Sequence, residues 1–227
     1  MSILSVNRTK EAVKDGGAGG SYISESGIYD VTIKFASIDV SKGGAKSVNF
    51  NLDYNGNPIT IYGPYITSKA GDPLDIGLGL VRDKLGIIAG VDGDLTIEEE
   101  EHSVGKDNKL QEFSVITDYS DLPVKVRIQM EYSVYKGEIR QRKVIKNFFR
   151  EDGASAEEIL AIENGEDAEI GKRLAYETEK FADNITYKDD LTAEDIAEWK
   201  ANKSSKAPAK SAPKTSGSAA NKLFGKK

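Results

Sequence analysis

Two runs of strict alternation stand between residues 122 and 150. Val124, Val126, Ile128, Met130 and Tyr132 alternate with Lys125, Arg127, Gln129, Glu131 and Ser133. After Lys136-Gly137 the return run places Ile139, Gln141, Lys143, Ile145, Asn147 and Phe149 on one face. Its other face carries Arg140, Arg142, Val144, Lys146, Phe148 and Arg150. A period of two marks a half-buried strand, and a glycine-bearing turn between two such runs marks a hairpin. This hairpin is long, and one of its faces is basic with aromatic residues among the cations.

Earlier segments repeat the period. Tyr29, Val31, Ile33 and Phe35 alternate with polar residues, then Ala36, Ile38 and Val40 shift the alternation by one, which predicts a bulge or a strong bend. Val48, Phe50, Leu52 and Tyr54 form the next run, and Tyr54-Asn-Gly-Asn is a tight-turn sequence leading to Ile59 and Ile61. Between 74 and 91 the period becomes helical through Leu74, Ile76, Leu78, Val81, Leu85 and Ile88. Asp72 is the expected N-cap there, with Pro73 in the first helical position. Residues 92–109 read as an acidic loop, and Phe113, Val115 and Ile116 as a short strand. After Arg150 the pattern is helical. Ser155-Ala-Glu-Glu is a capping signal, 166–182 reads as a further helix, and 192–202 as another with Ile196 and Trp199 on one side.

The expected organisation has four parts. Residues 1–20 are a flexible arm around Gly16-Gly-Ala-Gly-Gly, 21–150 a β domain, 151–202 an acidic helical region, and 203–227 a disordered tail of Lys, Ala, Ser and Pro. Charge follows the same division. Residues 1–150 carry 19 basic and 21 acidic side chains, 151–200 carry 5 and 16, and 201–227 carry 7 and none. Within the first part, residues 125–150 hold eight cations against Glu131 and Glu138. A local basic stripe on a chain of net charge −6 points to a polyanion as its partner.

Composition removes several chemistries. Without cysteine there is no disulfide, thiolate nucleophile or Cys-based zinc site, and one histidine allows no two-His metal motif. No long apolar run or secretory leader is present, so no membrane association is expected. Asp92, Asp94 and Glu98 to Glu101 do not match a calcium-loop spacing and read as a solvated loop. His102 reads as a surface histidine rather than a general base. Gly77 and Gly79 lack the residues of a nucleotide loop and read as packing glycines. No catalytic residue, metal or cofactor is expected.

The basic hairpin offers the strongest chemistry. Single strands are held by cations that follow the phosphates and by aromatic rings that stack on bases. Lys125, Arg127, Lys136, Arg140, Arg142, Lys143, Lys146 and Arg150 would supply the cations. Tyr62, Tyr135 and Phe148 fall on faces opposite the apolar sets and Tyr65 in a loop, so these four would stack.

A resemblance covers about residues 24–150. Leu122-Pro-Val-Lys-Val-Arg-Ile-Gln-Met-Glu-Tyr-Ser-Val-Tyr-Lys-Gly-Glu with Lys143-Val-Ile-Lys-Asn-Phe-Phe-Arg resembles the closing hairpin of bacteriophage single-stranded DNA-binding proteins. Ser26-Gly-Ile-Tyr-Asp-Val-Thr-Ile resembles their first strand, and Leu78-Gly-Leu-Val-Arg-Asp-Lys-Leu-Gly-Ile their inter-strand helix. The tail ending Lys-Leu-Phe-Gly-Lys-Lys is similar in style. The resemblance implies a mainly β fold, a five-stranded OB-fold barrel with a helix between strands three and four, here followed by the acidic helical appendage and the basic tail. It also implies a non-enzymatic protein of the infected host's cytoplasm. Such a protein coats single-stranded DNA in phage DNA replication, recombination and repair, and recruits replication or recombination proteins through its acidic region or tail. Homo-oligomerisation is left open. Many such proteins end in an acidic tail, whereas here the acidic block precedes a basic terminus, which suggests that the block takes the competing role. Two rivals stand beside this reading: an interaction module whose acidic helices mimic nucleic acid or block a host factor, and a metal-dependent nuclease using the 92–101 acids.

Overall fold

A computed structural model describes residues 22–105 and 109–205. The expected arm at 1–20 and all of the tail beyond 205 lie outside the described residues.

Three strands open the fold: β1 (Gly27–Val40), β2 (Lys46–Tyr54) and β3 (Asn57–Ile61). A continuous helical segment follows as α1 (Asp75–Leu78), a π-helical stretch (Gly79–Lys84) and α2 (Leu85–Ile88). Two hairpins come next, β4 (Ile97–Val104) with β5 (Lys109–Ile116), then β6 (Leu122–Tyr135) with β7 (Glu138–Arg150). The chain continues through α3 (Ala156–Glu163), α4 (Lys172–Phe181), β8 (Ile185–Tyr187) and α5 (Ala193–Ser205).

The protein is mainly β, with an open, largely antiparallel sheet and a few helices. The order β3-β2-β1-β5-β4 forms one path, while β6 pairs with β1, β7 and, in parallel, β8. β1 is shared among three partners: Thr32–Val40 lies on β2, Gly27–Ile33 on β6, and Ala36–Ile38 on β5. The register shift between Ile33 and Phe35 falls where the sequence alternation slips. A bulge increases local twist, so one strand can follow two neighbours of different direction. The Asn55-Gly56 turn has φ of 53° and 78°, the positive values that this pair adopts at little cost.

Ile33, Phe50, Leu52, Ile61, Leu85, Val126, Ile128 and Phe148 form the centre of the core. Tyr119 is also buried; its hydroxyl donates to the Val81 carbonyl at 2.5 Å, and burial pushes its phenol pKa up. Ala156, Ile159 and Ile196 join the same cluster. The core therefore runs on from the sheet into the helices, with no gap at residue 150.

Several expectations are corrected. Residues 92–109 are not all loop, because β4 pairs with β5 from Ile97↔Ile116 to Val104↔Lys109. Cross-strand pairing overrides the weak strand propensity of glutamate. Asp72 does not cap a helix. Its carboxylate accepts from the Ser68 hydroxyl at 3.1 Å in a local turn, and Pro73 sits in a bridge to Thr67. The helical segment starts at Asp75, after an extended Leu74. The expected helix over 166–182 begins only at Lys172. By contrast, the Ser155–Glu158 capping box is formed in both directions.

Candidate nucleic-acid interface

β6 and β7 pair regularly from Tyr135↔Glu138 to Ile128↔Ile145, and Arg127 then faces Asn147. Lys146 is left unmatched, a bulge that reverses the alternation of the rest of β7. Phe148 and Arg150 therefore turn to the side of Val126 and Val124, while Asn147 and Phe149 join Arg127 and Lys125. This corrects the expected stacking role of Phe148. Its side chain is fully buried, with its ring 5.3 Å from that of Phe50. The sequence shows an uninterrupted alternation, and one extra residue moves the ring from surface to core.

The cations at the base of the hairpin are already engaged. Lys125 pairs with Asp30, and Arg150 with Asp152 at 2.7 Å. Arg127 retains 14% side-chain exposure, and its Nε lies 2.6 Å from Glu177 Oε2. The two atoms are misaligned for a hydrogen bond, so the contact is coulombic. Glu177, 1% exposed, also accepts from Asn147 Nδ2 at 2.9 Å and Arg173 Nε at 2.8 Å. Arg127 therefore anchors α4 on the hairpin and is withdrawn from solution.

The distal cations are organised around tyrosines. The Arg140 guanidinium lies 4.3 Å from the Tyr135 ring centre, with Lys136 at 5.4 Å from the same ring. Lys143, on the inner face, lies 3.8 Å from the ring of Tyr22, an aromatic residue outside the expected stacking set. Its only sequence signal is its place as an isolated Tyr beside the glycine-rich arm. Lys146 is exposed at the bulge. Tyr62, Tyr65 and Tyr135 are 66%, 47% and 50% exposed. Arg142 Nη2 donates to the Tyr62 carbonyl at 3.0 Å, joining the distal hairpin to the end of β3. Gly77 lets the helical segment approach Tyr65: a Cβ there would lie 1.9 Å from the Tyr65 carbonyl oxygen.

Tyr62 stands at a cleft of about 370 Å³ on the outer face of the sheet, lined among others by Asn49, Asn51, Thr60, Gln111 and Phe113. A second cleft of about 540 Å³ shares Asn51, Thr60, Val104 and Gly105 with it and includes Phe35 and His102. The His102 ring is stacked on Phe35 at 3.8 Å and 9°, and its Nε2 lies 2.6 Å from Glu100 Oε2. The expected free surface histidine is instead part of an aromatic floor. The cause is the β4–β5 pairing: Glu100 lies opposite Phe113 and His102 opposite Gln111, which brings these side chains over β1. The sequence carries no alternation for that strand, because Glu98 to Glu101 are four like residues in a row; the period of two appears only in the partial burial of Glu100, His102 and Val104. Amide walls can hydrogen-bond base edges and exposed rings can stack; the one charged side chain in the lining of the Tyr62 cleft is Asp39, and Arg142 adjoins it through the Tyr62 carbonyl.

Among the described residues no group of three or more His, Asp or Glu side chains is arranged to hold a metal ion, and no helix is long and apolar enough to cross a membrane. In comparisons with known proteins, no family model matches the chain, and no curated protein or solved structure gives a significant match.

Proposed function

We propose that this protein binds single-stranded DNA without catalysing a reaction, coating exposed strands in phage DNA replication, recombination and repair in the cytoplasm of an infected bacterium. The phage setting rests on the sequence resemblance alone. The strand path β3-β2-β1-β6-β7, with the helical segment following β3, supports an OB-type barrel. In this reading β3 and β7 form the incompletely zipped seam, bridged by Arg142 and Tyr62, and β4–β5 is an insertion.

One observation carries the reading. The exposed Tyr62 ring, with Arg142 fixed to its carbonyl, opens onto the amide- and aromatic-lined cleft on the β2–β3 face. The DNA path then runs along Tyr62, Tyr65, Arg142, Arg140, Tyr135 and Lys136. Lys125, Arg127, Phe148 and Arg150 serve the fold. The test is an anisotropy titration of a labelled oligo(dT) of about 30 nucleotides against duplex of equal length, at low and high salt. Tight, salt-sensitive binding to the single strand is expected. Equal binding to duplex, or none to either, would reject the proposal.

The interaction-module reading has its own support in the exposed run Glu163, Glu166, Asp167 and Glu169. Capture of a basic protein without oligonucleotide binding would favour it.

A further inference from the structure

α3 and α4 diverge around an open groove of about 510 Å³ lined by Ala161, Ala168 and Tyr176 among others. Much of its lining charge is internally committed. Glu157 pairs with Lys84 at 2.9 Å, and Arg173 with Glu177 at 2.8 Å. Glu158 accepts from the backbone N–H groups of Ser155, Gly171 and Arg173. Lys172 also lines the groove. The loop joining the helices differs. Glu163, Glu166, Asp167 and Glu169 are exposed and held in no salt bridge among the described residues. Tyr176, in the groove lining, is 46% exposed, and Leu160, Ile162 and Ile170, outside that lining but on the same helix–loop segment, are each more than 40% exposed. The surface thus combines apolar side chains with uncompensated negative charge, a composition suited to a cationic peptide with a large apolar anchor.

We infer that the α3–α4 groove is the docking site for this chain's own residues 206–227, with Leu223 and Phe224 in the groove and the lysines against the acidic loop. That segment carries six lysines and no acid, and Leu223-Phe224 are its only large apolar residues. The link from Ser205 to Leu223 can extend to about 60 Å. A domain of this size has a radius of gyration of about 16 Å, so the tether reaches any face. Covalent attachment also raises the effective concentration to the millimolar range, so a modest groove suffices. Docked in this way, the lysines are neutralised by the chain itself and leave the acidic loop only when a stronger polyanion competes. The inference goes beyond the DNA-binding reading and does not need it.

The test is zero-length carbodiimide cross-linking of the full-length protein without DNA, using a mixture of natural-abundance and nitrogen-15-labelled copies, read by mass spectrometry. Expected are links from Lys222, Lys226 and Lys227 to Glu163, Glu166, Asp167 and Glu169 within one copy. They should fall about tenfold near 1 M salt, where the Debye length is ~3 Å. Leu223→Ser with Phe224→Ser keeps every lysine and should lower the yield to a similar degree. Links mainly between copies, links favouring Glu98 to Glu101, no links, or an unchanged yield in the double variant would each overturn the inference. Because DNA is absent, failure here leaves the DNA-binding reading standing, and the reverse also holds.

Discussion

Arg142 Nη2 and the Tyr62 carbonyl oxygen are 3.0 Å apart, and Gly63 follows with φ of 86° beneath the guanidinium. A Cβ at residue 63 would lie 2.7 Å from Arg142 Nη2, so glycine permits both the backbone turn and the close approach. The pair bridges β3 and β7, two strands that form no ladder with each other.

Replacing Arg140 and Arg142 together with alanine should weaken single-strand binding and lower its salt slope by about 0.7 for each phosphate that is no longer neutralised. Tyr62→Ala should cost about 1–3 kcal/mol with a much smaller change in salt slope, because it removes stacking rather than charge. Anisotropy titrations at several salt concentrations separate the two effects. Unaltered affinity in both variants would mean that the strand takes another path.

Phe148→Ala should destabilise the fold by about 3–5 kcal/mol, the usual cost of emptying a buried aromatic site. The affinity of the remaining folded protein should be unchanged. Urea unfolding and titration of the refolded variant test this. A stable variant with weak binding would return Phe148 to the interface.

Glu177→Ala should be as damaging, at about 3–5 kcal/mol, because Arg127 is left without its counter-charge in a poorly solvated site. Glu177→Gln keeps an acceptor for Asn147 and Arg173 and should lose less. A double-mutant cycle with Arg127→Met measures the coupling, and additivity within about 0.5 kcal/mol would show the pair to be idle.

Stability should also depend on acid pH through Glu158. Burial opposes its ionisation, but the N–H groups of Arg173, Ser155 and Gly171 outweigh burial and hold its pKa below 4.5. A depressed folded-state pKa gives stability that is full above the unfolded value and lost as pH falls through the folded one. The Tm advantage over Glu158→Gln should therefore be constant at neutral pH and shrink below about pH 4.5. An advantage that persists at pH 2 would assign the effect to packing.

The strands of the main sheet are legible where alternation is uninterrupted and apolar, as in β2 and β6. The slip in β1 is legible too, because its apolar residues change parity in view. The Lys146 bulge is not, since apolar and aromatic residues stand on both sides of the alternation near it: Phe148 and Phe149 are adjacent, both are buried, and the pattern does not say which lies on the side of Val126. β4 is hidden by its glutamates, four like residues in a row whose charge signals solvent and whose order carries no alternation. β8 is three residues long and is defined by its neighbour β6. The cations themselves are legible, but their engagement is not. Asp30 lies 95 residues from Lys125 and Glu177 fifty from Arg127, separations that no local pattern reports.

The unmatched Lys146 divides one strand into two lengths with opposite parity. On the distal length, even-numbered positions such as Arg140 and Arg142 meet the solvent; on the proximal length, Phe148 is buried on one side and Asn147 and Phe149 on the other. The second length is thus closed on both sides by packing, while the first presents those cations outward. Deleting this one residue would set Asn147 directly after Ile145, still opposite Arg127, with Phe148 still opposite Val126, so the strand would lose its bulge and keep both faces.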